Sequence, residues 1–369
     1  MAKLVGATGD NGYYTILERS FEENPPSPSS FCQFRATISY EFCKDLYFDE
    51  IAQWQKYERP KFEGLYVSAI DGDNLILPHS TAILKEGYRG MPCKDNLETH
   101  YSVMYYCAAT DVITGTTVGF SQSSKNDEIA RAIELLETCD SPEKTVTIYD
   151  RFYLSKRLLE FYKKTGSGFF LARCKKGSTF KEITDFEASN LQQKDVKIHG
   201  VKCRLIRFKN PGAEEETILV TNLPKRFKAK KIQSLYGYRW ESETGNRDRT
   251  TSIKLEQFRA KNINGILQEI WMTLLFQAVG QMACAKEVKP ENDFMKKVYQ
   301  KANFKAVFNK LVDSIDIVIR GLKCAYELTR ELVLKTIQKR ERYKRECKRQ
   351  SKRIQGKSFE RASLVSRRE

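Results

Sequence analysis

The sequence predicts an α/β fold, a mixed sheet with helices on its faces. Between residues 65 and 173, short runs of β-branched and aromatic residues alternate with stretches of helical period. Two of the strand-like runs lead into an acid, Asp71 and Asp150. A third acid, Glu243, stands further on among basic and phenolic residues at helical spacing. At 369 residues the chain exceeds one ordinary core and predicts two or three domains. With 41% hydrophobic and 11% aromatic residues it can fill them.

Residues 1 to about 25 are polar and show no period. Pro25-Pro26-Ser27-Pro28-Ser29-Ser30 predicts a linker whose last Ser caps a helix. Phe31 to Ile38, then Phe42, Leu46 and Tyr47, predict two short amphipathic helices. Such a module touches DNA or packs on the main domain. Leu65 to Ile70 predicts a buried strand, Asp71-Gly72-Asp73-Asn74 a tight turn, and Leu75 to Pro78 a return strand. A plain Asp-Gly hairpin turn accounts for Asp71 equally well in isolation. Tyr101 to Thr110 and Thr116 to Phe120 predict two more strands. Asp127 opens a helix carrying Ile129, Ile133, Leu135 and Leu136. Thr145 to Tyr149 predicts a strand ending in Asp150-Arg151-Phe152-Tyr153, followed by a helix from Leu154 to Lys164 and a strand from Gly166 to Arg173.

Residues 175 to 223 predict strands and turns, with turns at His199-Gly200 and Asn210-Pro211-Gly212. A helix begins near Lys228, an apolar helix covers Ile266 to Ala285, and a long helical pattern runs from Phe304 to Leu334. The expected division is a helical region at 1–60 and a main domain from 61–174 and 224–300. A β-rich insertion at 175–223 interrupts that domain, and a C-terminal helix with a basic tail fills 301–369.

The net charge is +16 and the pI near 9.3. From Lys335 to Glu369 fourteen Lys or Arg stand against four Glu, which concentrates the excess in the tail. A polyanion is the implied partner. Nucleic acid fits better than membrane, because the tail lacks an apolar face; a solubilising tail is the competing reading. No apolar run approaches the ~18 residues of a bilayer span. Met1-Ala-Lys-Leu-Val-Gly-Ala is too short for a secretory signal, so a cytoplasmic, nucleoid-associated protein is expected. The ten cysteines include no Cys-x-x-Cys pair, and His79, His100 and His199 complete no zinc spacing. Reduced structural thiols and no zinc site are expected.

Placed on a helix, Tyr236, Arg239 and Glu243 share one face, which Arg247, Thr250 and Lys254 extend. A solvated face of ion pairs explains this stretch alone. The upstream acids favour another reading. Three strands, a helix, a strand ending in an acid, and a later helix with an inward acid follow an RNase H-like order. There Asp71, Asp150 and Glu243 converge. Carboxylates so placed hold two divalent ions about 3.5–4 Å apart for phosphodiester chemistry. Oxygen-only ligands suit Mg²⁺, with Mn²⁺ as a substitute.

The chain resembles the DDE transposases of bacterial insertion sequences, specifically the IS-four family. Ala69-Ile70-Asp71-Gly72 matches the family's first Asp, and Asp150-Arg151-Phe152-Tyr153 its Asp-Arg-Gly-(Tyr/Phe) motif. Tyr236, Arg239 and Glu243 match Tyr-x2-Arg-x3-Glu-x6-Lys. Thr221-Asn222-Leu223, Arg239-Trp240, Leu255-Glu256-x-Phe258-Arg259 and Gln268-Glu269-Ile270 agree as flanking text. The chain departs from the pattern at two positions: Thr250 replaces the signature Lys and Phe152 the Gly. Lys254 or Arg247 then supplies the missing positive charge. The resemblance implies an RNase H-like catalytic domain with a β-strand insertion between Asp150 and Glu243. It also implies cleavage at element ends and strand transfer, with Asp71, Asp150 and Glu243 as catalytic metal ligands. Arg151, Tyr236, Arg239, Trp240, Arg247 and Lys254 are the expected DNA contacts. The implied partners are double-stranded DNA, as terminal inverted repeats and target, and a second copy of the chain in a synaptic dimer. A nuclease of the same superfamily and a non-catalytic DNA-binding descendant are the rival readings.

Overall fold

The computed structural model describes residues 17, 24–57, 59–93, 96–139, 141–209, 216–239, 253, 255–288, 298–314, 317 and 323–341. At its centre is a nine-stranded sheet. Five strands form its core: β1 (Tyr66–Ile76), β3 (Asn96–Asp111), β4 (Thr116–Ser123), β5 (Thr145–Tyr149) and β6 (Phe169–Arg173). A short β2 (Arg89–Cys93) pairs with β3. Strand β3 lies antiparallel to β1 and β4, whereas β1, β5 and β6 run parallel. The core order β4-β3-β1-β5-β6 is that of an RNase H-like fold.

Beyond β6 the sheet continues through β9 (Glu216–Thr221), β8 (Val201–Lys209) and β7 (Gln193–Ile198). The strands of segment 175–223 thus prolong the main sheet, and β9 pairs antiparallel with β6. The β7–β8 turn falls at His199 (φ 48°) and Gly200 (φ 87°), as the sequence predicts. Two successive positive-φ residues match the twist of the strands they join.

Two buried clusters line the faces of the sheet. On one, Ile70, Tyr149 and Phe170 pack with α4 (Glu128–Glu137), α5 (Lys156–Thr165) and α6 (Lys181–Glu187). On the other, Ala69, Ile148, Leu171, Ile206 and Leu219 pack with Ile232 and Leu235 of α7 (Ala229–Gly237). A third cluster surrounds α8 (Ile263–Glu287), which is buried around most of its circumference. Helix α8 contacts β4, α2 (Tyr40–Lys56), α9 (Phe304–Asp313) and α10 (Ala325–Thr336). Trp271 joins the Phe120 ring at 5.7 Å and the Tyr47 ring at 5.5 Å. The buried Arg35 of α1 (Pro28–Thr37) ties the N-terminal helices to α8. It pairs with Glu269 at 2.8 Å and donates to the Gly265 carbonyl at 2.7 Å. A two-stranded sheet, β10 (Val298–Lys301) with β11 (Gln338–Glu341), closes the described C-terminal region. Among the described residues no helix is long and apolar enough to cross a membrane.

Several expectations are corrected. The Asp71-Gly72-Asp73-Asn74 segment makes no turn. Strand β1 runs straight through it, paired with β3 from Ser68 to Ile76. An Asp-Gly hairpin needs positive φ at both central residues, and neither Asp71 nor Gly72 has it. The long β3 supplies a ladder that outweighs the local turn preference. Ser27, not Ser30, caps the first helix, accepting the Ser30 N–H at 3.1 Å. In α2 the buried stripe is Cys43, Tyr47, Ile51 and Trp54, while Phe42 is 59% exposed. Helix α7 ends at Gly237 with Tyr238 as its C-cap, so Arg239 lies beyond the helix that carries Tyr236 instead of sharing its face, and residues 255–262 form turns and bends, so no helix continues to Lys261. The long pattern from Phe304 is broken into α9 and α10, the second capped by Cys324. Segment 175–223 also holds the unpredicted helix α6.

Candidate active site

Strand register brings Asp71 and Asp150 together. The parallel β1–β5 ladder ends with Ala69 opposite Ile148. Each acid lies two residues beyond its member of that pair, and residues two apart on a strand share a face. Ala69 and Ile148 both belong to the cluster under α7. The two acids therefore emerge on the α7 side, on strands about 4.8 Å apart.

Their supports differ. Asp71 lies inside β1, opposite Ala108 of β3. Asp150 is the first residue after β5, and its Oδ1 accepts the Arg151 N–H at 2.6 Å. On the opposite face at Gly72, a Cβ atom would stand 2.9 Å from the Glu128 carboxyl carbon and 3.1 Å from the Tyr153 hydroxyl. Only glycine leaves room for both. The Cys107 Sγ lies 3.6 Å from that hydroxyl. Burial pushes the Cys107 thiol up to about 12, the Tyr153 hydrogen bond opposes this, and Glu128 and Asp71 add to the rise. Burial raises the Tyr153 phenol as well, reinforced by Cys107, Glu128 and Asp71.

Helix α7 delivers Tyr236 to Asp150. Ile232 and Leu235 bury one side of the helix against the sheet. The Asn222 side chain anchors its approach, accepting the Phe170 N–H at 2.7 Å and donating to the Gly168 carbonyl at 3.0 Å. Burial raises the Tyr236 phenol to about 12. The Arg239 guanidinium pulls it down, the Asp150 carboxylate pushes it up, and Arg173 pulls it down. The phenol thus sits among Asp150, Arg239 and Arg173 and keeps its proton at neutral pH. Its buried hydroxyl forms no well-shaped hydrogen bond with the described residues.

Beside Asp150, the Phe152 ring is 54% exposed. The Arg151 guanidinium lies 4.9 Å and the Lys175 ammonium 5.9 Å from its centroid.

Of the expected site residues, Asp71, Asp150, Tyr236, Arg239 and Arg151 are described. Asp150, Tyr236 and Arg239 are brought together, with Asp71 on the strand beside Asp150. Trp240, Glu243, Arg247, Thr250 and Lys254 lie outside the described residues. Among the described residues no three His, Cys, Asp or Glu form a metal-holding group. Sequence reasoning missed Arg173, Glu128 and Lys175. Arg173 could have been found by the rule that found Asp150, since it ends the next parallel strand. For Glu128 no local signal exists, because its nearness to Asp71 depends on how α4 packs.

The family model for the transposase DDE domain matches residues 63–276, more than half of the chain. The chain belongs to the DDE transposase family. The matched region of this DDE transposase includes the whole of β1, β5 and α7. A similar solved structure is the piggyBac transposase in a synaptic complex with hairpin DNA, 12% identical with a TM-score of 0.43. The alignment covers 84% of this chain and 64% of that one, so the present chain spans somewhat less than two thirds of its length. Comparison with curated proteins gives no match.

The donor chemistry fits a hard cation. Asp71 and Asp150 offer carboxylate oxygens, and the Tyr236 hydroxyl, with the Arg239 guanidinium beside it, suits a phosphate oxygen.

Proposed function

We propose that this DDE transposase is of the IS-four type. In this reading it binds the ends of an insertion sequence, cleaves the DNA strands there and transfers them to target DNA. The observation that carries the proposal is the pairing of Asp71 and Asp150 on one face, with the Tyr236 phenol beside Asp150. Asp71, Asp150 and Glu243 would hold two Mg²⁺ ions, for which Mn²⁺ can substitute. Such ions sharpen the attacking hydroxyl and stabilise the leaving oxygen of a phosphodiester.

The chain's own groups handle the phosphate. Tyr236, protonated at neutral pH, donates to a non-bridging oxygen. Arg239 grips phosphate with a planar fork, which a lysine lacks. Arg173 adds charge from the neighbouring strand. The DNA partners are terminal inverted repeats and a target duplex. A homodimer would synapse two ends.

The test is a supercoiled plasmid carrying candidate terminal repeats, incubated with the protein in Mg²⁺ or Ca²⁺. Nicked and linear products are expected in Mg²⁺ alone. Asp71→Ala, Asp150→Ala and Glu243→Ala should each lose cleavage while keeping end binding. Wild-type protein that binds the plasmid yet leaves it uncut in both Mg²⁺ and Mn²⁺ sinks the reading. Any one variant that cuts normally removes its residue from the site.

A further inference from the structure

A cavity of about 440 Å³ opens at the end of α7 remote from Tyr236. Lys194 and Asp195 of β7, Arg204 of β8, and Lys225, Lys228 and Ala229 at the start of α7 line it. Four cations thus face one acid, and Asp195 is already paired with Lys225 at 2.8 Å. Lys194 and Lys228 are exposed and have no acidic partner among the described residues.

Arg204 is the built part of the cavity. It is 8% exposed, and its Nη2 donates to two main-chain carbonyls, Phe227 at 2.7 Å and Pro224 at 3.4 Å. Its Nε is buried without an acceptor. Burial draws its pKa down, opposed by the Asp195 charge. A guanidinium buried to this degree ordinarily meets a carboxylate or another anion; among the described residues Arg204 has no carboxylate bond.

The helix start repeats the pattern. Lys228 is the N-cap of α7 and makes no side-chain cap bond; the first turn holds no acid. Lys230 and Lys231 follow within the first turn. Free N–H groups and the positive end of the helix dipole attract anions and disfavour lysines. Lys231 is already paired with Glu63 at 2.8 Å; Lys228 and Lys230 oppose local helix stability unless an anion joins them.

The cavity also faces the acids' side of the sheet. Arg204 alternates with Cys203 and Leu205, which pack on the α4–α6 face, and so shares the face of Ile206 beneath α7. That is the face on which Asp71 and Asp150 emerge. The nine residues of α7 span roughly 13 Å, about four base steps of duplex at 3.4 Å each.

We infer that this cavity binds a backbone phosphate of the DNA strand whose cleaved phosphate lies at Asp71 and Asp150. The inference rests on the DNA-cleaving reading above. Helix α7 then carries one phosphate contact at each end and sets the distance between them.

The probe is a short fluorescent duplex, bound across a range of KCl and followed by anisotropy. Lys194→Ala/Lys228→Ala should weaken binding several-fold and flatten the slope of log K against log salt by about 1 to 2. Lys228→Gln alone should give about half that change in slope. Lys305→Ala/Lys310→Ala, on exposed positions of α9, removes equal charge and should leave the slope near wild type. A site variant with the wild-type slope overturns the inference, as does an equal flattening in the α9 control. If the wild type cuts plasmid while the site variant keeps its slope, only the cavity is excluded. If the wild type neither binds nor cuts, the functional reading falls and the cavity's role falls with it.

Discussion

The two described acids stand on adjacent strands but are held in different ways. Asp71 sits within an eleven-residue strand whose ladder to β3 continues past it, and the Glu128 and Tyr153 side chains crowd the glycine beside it. Asp150 stands just past the end of a five-residue strand, where its own carboxylate takes the next backbone N–H. Its surroundings are exposed or cationic: Phe152, Arg151, Lys175, and the Tyr236 phenol with its two arginines. The comparison separates two jobs. Around Asp71 the structure is built by packing, and changes to its neighbours, though not to Asp71 itself, should act through stability. The Asp150 side is open and cationic, and under the proposed function changes there should act on DNA.

The largest effects bear on what the two sides share. Asp71→Ala and Asp150→Ala should both reduce plasmid cleavage to background. If only one did so, the picture of a shared metal-holding pair would break. Next come the groups beside Asp150. Arg239→Lys and Tyr236→Phe should cut cleavage by more than about tenfold, with urea midpoints near wild type. The Tyr236 phenol, raised to about 12 chiefly by burial, keeps its proton throughout the ordinary assay range. The Tyr236→Phe defect should therefore be constant from about pH 6 to about pH 9. A defect that vanished toward the alkaline end would show that the phenol had already lost its proton there.

The Asp71 side predicts the opposite split. Gly72→Ala places a methyl against Glu128 and Tyr153. The exposed Glu128 can swing away, but the buried Tyr153 hydroxyl has less freedom. A loss of about 1–2 kcal/mol in stability is expected, with cleavage falling in parallel. Full stability with lost cleavage would move Gly72 from packing to chemistry. The smallest effect is Phe152→Ala. The half-exposed ring should cost less than about 0.5 kcal/mol of stability. Binding of single-stranded DNA should weaken by up to roughly 1 kcal/mol if the ring stacks on a base. Unchanged affinity would leave Phe152 as a cover for Arg151 and nothing more.

Much of this site was legible before the fold. The strand from Thr145 to Tyr149 and the acid behind it were marked by a run of β-formers that ends at Asp150. The Asp127 cap is read from its place before an apolar helical period, and its carboxyl accepts the Ala130 N–H at 3.0 Å. Other positions were misread for definable reasons. Asp71-Gly72 carries a strong local turn signal, yet β3 pairs straight across it, so a tertiary ladder overrode a local preference. In α2, the sequence marked Phe42, Leu46 and Tyr47 as apolar positions, and of these only Tyr47 is buried. The buried stripe is one residue further round, because Tyr47 packs on Trp271 and its hydroxyl donates to the Thr117 carbonyl. The third acid and its flanking cations lie outside the described residues, so their role rests on the proposed function alone.

The sequence by itself determined most strands and helices between residues 65 and 173, and the places of Asp71 and Asp150 on or just past two of the strands. These follow from periodicity, caps and turn chemistry, which act over a few residues. Tertiary structure alone decided that β1 and β5 pair with Ala69 opposite Ile148, so that both acids leave the sheet on the same face. It also decided that Arg173 joins Tyr236, that Glu128 lies against Gly72, and that Arg204 is buried beside the start of α7. Register and helix docking are set by contacts between segments far apart in the chain. A one-residue slip in β5 would send Asp150 to the opposite face, and no local pattern in either strand records which register is taken.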